Sequence, residues 1–201
     1  MAEEINQKKH IPWKIKERLY PKSLELFSER DFHQVNMREI AKKADISIGT
    51  IYKYYPSKQD LLFTIIDEYM STLKSLIKMH IQGIESPKEI FRKLFWVTLD
   101  FYDKNPSVAV TGFITVPMKT WMQESAYRRD DIRELISEVY ETVKARGGLH
   151  GSIDVRTLNS LYFMFCSRQV HVWYYHGMKW NLADNLPDFF ENFWRIVAPE
   201  E

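Results

Sequence analysis

The chain has 201 residues, of which 45% are hydrophobic, and a formal net charge of +1. This length accommodates one large or two modest domains, and the apolar fraction is sufficient for a real core. Its single cysteine, Cys166, excludes an intrachain disulfide. The polar N-terminus and the lack of an apolar run of about 20 residues indicate no signal peptide and no membrane span, so we expect a cytoplasmic protein.

Charge is distributed unevenly along the chain. Residues 1–66 carry 12 Lys plus Arg against 9 Asp plus Glu, whereas residues 67–201 carry 16 against 18. The excess of positive charge is small, but it falls on the segment with the nucleic-acid features described next. Binding to a polyanion would therefore depend on well-placed contacts and on dimeric avidity more than on bulk charge.

The first predicted helix follows a polar segment, residues 1–12, which we expect to be a flexible arm. Pro21 lies inside this helix, where a proline removes one hydrogen bond and costs about 3 kcal/mol. Two arrangements are compatible with it. Either Pro21 is the first residue of the regular helix and 13–20 form a separate turn or short helix, or it kinks one longer helix.

Three helix starts follow in quick succession. Asn36 can cap a helix whose third residue is Glu39, Ser47 can cap a second, and Ser57 can cap a third whose third residue is Asp60. The first two helices would be joined by only three residues, 44–46. This layout is typical of a helix-turn-helix DNA-binding motif.

The second of these helices presents a polar outer surface. The spacing of Ile40, Ala41, Ile46 and Ile51 predicts a small apolar core between this helix and the preceding one. The residues left outside offer hydroxyls, one cation and a glycine, but no general base, thiol or carboxylate pair; they are Ser47, Gly49, Thr50, Tyr52, Lys53 and Tyr54. A nucleic-acid surface is therefore favoured over a catalytic one.

Each of these residue types suits a contact with duplex DNA. Thr50 can touch a base edge or a thymine methyl, and Gly49 permits close approach of the backbone to the groove. Lys53 and Lys58 can neutralise phosphates, and Lys58 also lies at a helix N-terminus that attracts anions. The tyrosines could instead be core aromatics, which we expect for Tyr55 because it falls on the inward side.

The remainder of the chain is predicted to be helical. Apolar spacing predicts a long helix from Ser57 to about Gly83 and a second from Pro87 to 105. The stretch 108–118 is rich in β-branched residues but has no partner strand, so we interpret it as a short buried helix. Further helices are predicted over 121–146, from Ile153-Asp154 to about His176, and from Asp184 or Asn185 onward.

An enzymatic function is not indicated. Cys166 and His171 are separated by about 140° around a helix, which does not make a local nucleophile and base pair. The six histidines show no metal-binding spacing, and there is no glycine-rich phosphate loop. We therefore expect no enzyme activity, no catalytic residues, no metal site and no cofactor.

The N-terminal segment resembles the DNA-binding domain of TetR-type transcriptional regulators. The resemblance is carried by the run 47–62, by Val35-Asn-Met-Arg-Glu-Ile-Ala41 before it, and by Leu24-Glu-Leu-Phe27 further upstream. It covers roughly residues 13–66, and the rest of the chain agrees only in length and helical layout.

The resemblance implies DNA contacts at particular positions. Arg38 would lie near the start of the first helix of the motif, and the other family contact positions are occupied by Thr50, Tyr52, Lys53, Tyr54 and Lys58. Three residues depart from the family pattern: Pro21, which lies inside the first helix, Asp31 and Ile48. Asp31 stands where relatives have glycine, so we expect a left-handed turn there, and Ile48 replaces a frequent polar reader.

For the C-terminal part, the resemblance implies dimerisation and an effector cavity. The last two long helices would pair with their copies in a homodimer, with Phe190 and Phe193 at the interface. The effector would be hydrophobic or aromatic and uncharged. Any single aromatic residue here is better explained as core, but as a set the candidate lining residues are Trp96, Phe113, Met118, Trp121, Tyr162, Phe163, Gln169 and Trp173.

These observations predict an all-α protein. Residues 13–66 would form a three-helix helix-turn-helix domain, joined by a long helix to an effector-binding and dimerisation domain, 67–201. The expected function is that of a ligand-responsive regulator of transcription, most simply a repressor released from a palindromic double-stranded DNA operator by its effector. The alternative is a helical protein-interaction module that has lost DNA binding.

Overall fold

The computed structural model describes residues 11–123 and 130–200, and within these ranges it contains helices and no strand. The predicted all-α fold class is confirmed. The α-helices are α1 (Trp13–Glu29), α2 (Met37–Ala44), α3 (Ile48–Tyr52), α4 (Lys58–Ile81), α5 (Pro87–Lys104), α6 (Pro106–Val110), α7 (Met118–Gln123), α8 (Asp130–Ala145), α9 (Val155–Tyr175) and α10 (Leu186–Val197). Short 3₁₀ helices span Phe32–Gln34 and Leu182–Asn185, and a π-helix spans Thr111–Thr115.

The first helix contains Pro21 in its interior, so a regular helix beginning at Pro21 is excluded. Pro21 lies on the exposed side of α1, where water can solvate the carbonyl that loses its hydrogen bond. Ile11, two residues before α1, is buried at 7% exposure. Residues 1–10 of the predicted flexible arm lie outside the described residues.

The prediction of a left-handed residue at Asp31, after α1, is wrong. Asp31 has φ −53° and ψ 137°, an ordinary extended conformation that needs no glycine. The left-handed residue is Asp45, with φ 53°, at the end of α2. Asp tolerates this conformation better than most residues because its short polar side chain can hydrogen-bond locally.

The long helix α4 connects the two parts of the chain. It begins at the predicted cap, where the Ser57 side chain accepts a hydrogen bond from Asp60 N. Its 24 residues correspond to about 36 Å at the standard rise. The proposed domain boundary at residue 66 falls inside this continuous helix.

The segment after α5 is helical, as predicted, but part of it is a π-helix. Val108, Ala109 and Val110 are buried in α6. The π-helix that follows contacts α1 directly, since Thr115 Oγ1 donates a hydrogen bond of 2.6 Å to the carbonyl of Phe27. This segment therefore connects the C-terminal helices to the first helix of the chain.

The predicted helix over 121–146 corresponds to parts of α7 and α8, and residues 124–129 between them lie outside the described residues. Helical spacing predicts six inward positions for this helix, and all six are buried in α8: Ile132, Leu135, Ile136, Val139, Tyr140 and Val143. The sequence predicts that Gly147-Gly148 ends this helix, and Gly147 does so in the left-handed conformation, with φ 66°. A β-carbon on Gly148 would lie 2.4 Å from Pro87 Cγ, so this glycine permits α8 to meet the start of α5.

The C-terminal core is dominated by aromatic residues of α5, α9 and α10. Phe95 lies at its centre, with ring centroids 4.8 Å from Phe193, 5.4 Å from Phe189 and 5.5 Å from Tyr162. The pairs with Phe193 and Phe189 are edge-to-face, an arrangement worth about 0.5–1.5 kcal/mol per pair beyond the buried area. Helical spacing predicts an inward stripe on α9 that contains Trp173 and His176 but not Cys166. In the structure Trp173 and Cys166 are buried, whereas His176 is exposed.

Candidate nucleic-acid interface

The start of α2 is fixed by a complete capping box. The Asn36 side chain accepts hydrogen bonds of 3.0 Å from both Arg38 N and Glu39 N, and the Glu39 carboxylate accepts one of 3.3 Å from Asn36 N. Three backbone donors that the helix itself cannot satisfy thus have partners. Arg38 is left at the exposed first turn of α2, where it makes no ion pair among the described residues.

The turn between α2 and α3 is held by a residue that the sequence analysis did not identify. Asp45 N–H donates to the carbonyls of Ala41 and Lys42. Arg18 of α1 donates a hydrogen bond of 2.6 Å to the Asp45 carboxylate and another to its carbonyl. This contact joins residues 27 positions apart, so no local pattern could have indicated it.

The inner side of α3 is anchored by two buried side chains. Ile51 has 0% exposure and Tyr55 has 5%. At the N-terminus of the helix, Ser47 Oγ accepts a hydrogen bond of 3.1 Å from Thr50 N and lies 2.7 Å from Thr50 Oγ1. The Thr50 hydroxyl is therefore partly used within the motif, while its hydrogen-bonding capacity is not exhausted.

The outer side of α3 is open to solvent. Lys53 is exposed, and its ammonium lies 5.7 Å from the centre of the Tyr54 ring. Tyr52 is 49% exposed. A β-carbon on Gly49 would meet no heavy atom within 4 Å, so the protein itself does not require glycine at this position. Ile48, by contrast, is half-buried and packs against the core.

Lys58, which is predicted to contact a phosphate, has partners within the protein. Its ammonium donates hydrogen bonds of 2.7 Å to the Phe32 carbonyl and 2.8 Å to the Val35 carbonyl, and lies 4.4 Å from the centre of the Phe32 ring. Burial lowers the pKa of Lys58. The side chain thus closes the end of the 3₁₀ helix onto α4, and we leave it out of the proposed phosphate contacts.

Other cations near the motif are neutralised within the protein. Lys43 pairs with Glu25 at 2.9 Å, and Arg30 pairs with Glu39 at 3.3 Å. Hydrogen bonds from Lys43 and Lys22 hold the pKa of Glu25 below its usual value. The cations left for an anionic partner are consequently few, and they include Lys42 as well as Arg38 and Lys53. Lys42 is not among the contact positions predicted from the sequence.

A buried polar network links this motif to the long helix. The hydroxyls of Tyr20 and Tyr55 lie 2.9 Å apart, and Tyr20 also donates a hydrogen bond of 2.9 Å to Glu68 Oε1. Lys16 pairs with the same carboxylate. Burial, together with the hydrogen bond to Tyr55, raises the pKa of Tyr20, so its hydroxyl stays protonated. Tyr55, three residues after the end of α3, is thereby connected to Tyr20 of α1 and Glu68 of α4.

The predicted effector-binding residues have different surroundings in the part of the chain that the structure describes. Tyr162 and Trp173 are buried, with the Tyr162 hydroxyl 2.8 Å from Thr98 Oγ1 and the Trp173 indole donating to the Trp180 carbonyl. Trp121 packs against Phe63 with ring centroids 5.2 Å apart. Phe113, Phe163 and Gln169 are half-buried, Met118 is 69% exposed, and Trp96 lines a surface cleft. Helical spacing identified apolar positions but not which of them already have protein partners.

The predicted interface residues Phe190 and Phe193 belong to the core of the same chain. Both are 1% exposed, and Phe193 packs against Phe91 and Phe95. Charged substitutions there would disrupt the fold, so they cannot report on dimerisation. The apolar side chains that α9 and α10 do expose include Met164, at 56%, and Ile196, at 46%.

None of the helices in the two described ranges has both the length and the apolar character needed to cross a membrane. Within the same ranges, no cluster of three or more His, Cys, Asp or Glu side chains is arranged to hold a metal ion. The candidate site is the exposed polar surface of α2 and α3, which lies over buried apolar side chains of the same two helices.

Comparison with known proteins supports the interpretation of α2 and α3 as a helix-turn-helix motif. Residues 22–65 match the family model described as "Bacterial regulatory proteins, tetR family". Nucleoid occlusion factor SlmA of Haemophilus influenzae (strain Rd) is 25% identical over 177 residues, which cover 87% of this chain and 79% of that protein.

Solved structures agree over most of the chain. The fatty acid degradation regulator FadR from Bacillus halodurans superposes with a TM-score of 0.81 at 18% identity, covering 91% of this chain and 95% of the other. FadR from Bacillus subtilis in complex with stearoyl-CoA gives a TM-score of 0.75 at 18% identity, with 88% and 96% covered. At this level of identity the likeness concerns the fold.

Proposed function

Because this chain belongs to the TetR family of bacterial regulatory proteins, we propose that it is a sequence-specific DNA-binding regulator of transcription, released from its operator by a small hydrophobic or aromatic effector. The observation that carries the proposal is the outer surface of α3. Tyr52, Lys53 and Gly49 are exposed there, while Ile51 and Tyr55 hold the helix from beneath. A duplex groove is the partner that fits such a surface. Its place of action would be the cytoplasm.

Each candidate contact has a distinct expected role. Lys53 and the Tyr52 hydroxyl would bind phosphates, with Ser47 and Tyr54 beside them, and would set affinity without reading sequence. Thr50 and Arg38 would meet base edges, and Gly49 would permit the approach. Because so few cations are unpaired, one copy of the motif would bind specific DNA weakly.

We therefore infer that the active species is a homodimer through α9 and α10. Two copies of α3 would enter successive major grooves about 34–36 Å apart on a palindromic operator. An effector that favours another arrangement of the two copies would weaken operator binding by roughly five- to 150-fold.

The proposal is tested with purified protein and the DNA upstream of its own gene, in a retardation assay with unrelated DNA as competitor. We expect selective retardation of a fragment containing a palindrome. Equal retardation of both DNAs, or none, would contradict a role as a sequence-specific regulator.

Two variants assign the contacts. Lys53→Ala should weaken binding to every sequence and reduce the salt dependence by about one phosphate contact, whereas Lys179→Ala, an exposed lysine of the C-terminal part, should do neither. Arg38→Ala should relax base preference at defined operator positions, and an unaltered preference would remove Arg38 from the readout.

The alternative, a protein-interaction module without DNA binding, has no structural observation in its favour. The name of the curated relatives suggests one further distinction. Chromosome-wide immunoprecipitation should recover a few promoter sites for the proposed regulator. Enrichment at many dispersed sites would contradict regulation of a few genes.

A further inference from the structure

A surface cleft with aromatic walls lies where α1 meets α4 and α5. Its volume is about 610 Å³, which is within the range of small-molecule sites. The walls include Trp13, Tyr69, Trp96 and Phe101. Trp13 is 68% exposed and Trp96 37% exposed, so large apolar surfaces remain available to a ligand.

The charged groups of the cleft leave one carboxylate without a partner. Glu68 is engaged by Lys16 and Tyr20, and Asp100 pairs with Lys104 at 2.8 Å. Glu17 also lines the cleft, but it forms no ion pair or hydrogen bond among the described residues. Within the part of the chain that the structure describes, the cleft therefore presents aromatic surface together with one carboxylate that has no ion-pair partner.

A cation is the ligand group that both features favour. Aromatic ring faces attract cations through their quadrupole, and the Trp96 ring already has the Lys93 ammonium 4.8 Å from its centre. No cation of residues 11–123 or 130–200 lies over the Trp13 ring, and Trp13 is on the same helix as Glu17, four positions away. A flat aromatic group can stack in the cleft while an attached ammonium reaches Glu17.

We propose that this cleft is a binding site for a small aromatic compound that carries an amine. It differs in place and in charge from the effector cavity expected in the C-terminal core, since of the eight residues predicted for that cavity only Trp96 lines the cleft. The ligand would bind between the DNA-binding motif and the C-terminal helices.

A ligand bound in the cleft would change the position of α3 through the buried hydrogen bonds of Tyr20, Tyr55 and Glu68. Tyr20 and Glu68 line the cleft, and the Tyr20 hydroxyl lies 2.9 Å from that of Tyr55, which anchors the α3 segment. A ligand that displaces Tyr20 or Glu68 thus breaks the contact that positions this segment. This second part rests on the proposed DNA-binding function, whereas the binding site itself does not.

Binding is tested by titration calorimetry on the full chain without DNA, using three matched probes: 1-naphthylmethylamine, 1-naphthylmethanol and 1-naphthoate. We expect saturable binding of one amine per chain, about five- to 30-fold tighter than the alcohol, with the carboxylate weakest. No saturable binding, or a carboxylate that binds as well as the amine, would overturn the proposal.

Variants locate the site. Trp13→Ala should weaken amine binding at least fivefold, whereas Tyr175→Ala, an 83% exposed aromatic on α9, should leave it unchanged. Glu17→Gln should abolish the preference for the amine over the alcohol, and Glu141→Gln on α8 should retain it. Because Trp13 and Glu17 are exposed, loss of folding would not explain these effects. Equal binding to wild type and Trp13→Ala would place the ligand elsewhere.

Coupling is measured as the ratio of operator affinities with and without the amine. We expect this ratio to approach one in Tyr55→Phe, while the calorimetric affinity for the amine stays unchanged. An unchanged ratio would refute the route through Tyr55. If the protein binds no DNA selectively, the proposed function fails, and the calorimetric result still decides whether the cleft binds the amine.

Discussion

The substitution Gly49→Ala, which adds a single β-carbon, should affect the stability of the protein and its affinity for DNA in different ways. Gly49 lies in the short helix α3 without a positive φ, and an added β-carbon would meet no heavy atom within 4 Å. Alanine loses less conformational entropy than glycine on entering a helix, so the variant should gain about 0.5–1 kcal/mol of stability. For a chain of this size the gain corresponds to an increase in Tm of about 1–4 °C.

The same methyl group should weaken operator binding. Gly49 is exposed beside Tyr52 and Lys53, on the surface that we place in the major groove. A methyl forced into a closely packed contact costs about 1–3 kcal/mol, which corresponds to a loss of roughly five- to 150-fold in affinity. Stability and DNA affinity would therefore change in opposite directions.

Fluorescence anisotropy with labelled operator measures the affinity, and thermal unfolding measures the stability. Gly151→Ala is the matched control, because Gly151 also has open space around its missing β-carbon and no positive φ but lies between α8 and α9. It should leave operator affinity unchanged. A folded Gly49→Ala protein with wild-type affinity would refute the placement of this surface against DNA.

Three further outcomes are expected. Lys58→Met should lower the free energy of unfolding by about 1–2 kcal/mol, because the hydrogen bonds to two backbone carbonyls are lost, and should leave the salt dependence of DNA binding unchanged; a reduced salt slope would restore its phosphate role. If α9 and α10 form the dimer interface, Met164→Glu together with Ile196→Glu should give monomers by sedimentation velocity, and a surviving dimer would move the interface elsewhere. The pKa of Glu134 is lowered by its hydrogen bond to Lys74, so the stability from this pair is present above pH about 4.5 and lost as the pH falls through the lower folded-state pKa. In urea unfolding, Lys74→Met should remove part of this acid dependence, and an identical pH profile would show that the pair contributes nothing.

The sequence determined the local elements of the DNA-binding motif. Caps act over three or four residues, so Asn36, Ser47 and Ser57 were sufficient to predict where α2, α3 and α4 begin. Apolar spacing likewise predicted the buried side of α8. These features depend on neighbours in the chain, which is why they can be read without coordinates.

Tertiary structure decided how each side chain is used. Lys58 is a lysine at a helix N-terminus, which predicts a phosphate contact. The carbonyls that it binds belong to residues 26 and 23 positions earlier. Phe193 has the spacing of an interface residue but is enclosed by Phe91 and Phe95. A sequence pattern specifies which side of a helix is apolar, whereas the partner of that side is set by the packing of distant segments.

The same distinction applies to the surface cleft and to Arg18. Trp13, Tyr69 and Trp96 come from three helices that are far apart in the chain and share no local pattern. Arg18 reaches the turn at Asp45 only because α1 packs across α2. The sequence by itself therefore determined the helices and the exposed chemistry of α3, while long-range packing determined which cations remain free, which aromatics are enclosed, and where a ligand has access.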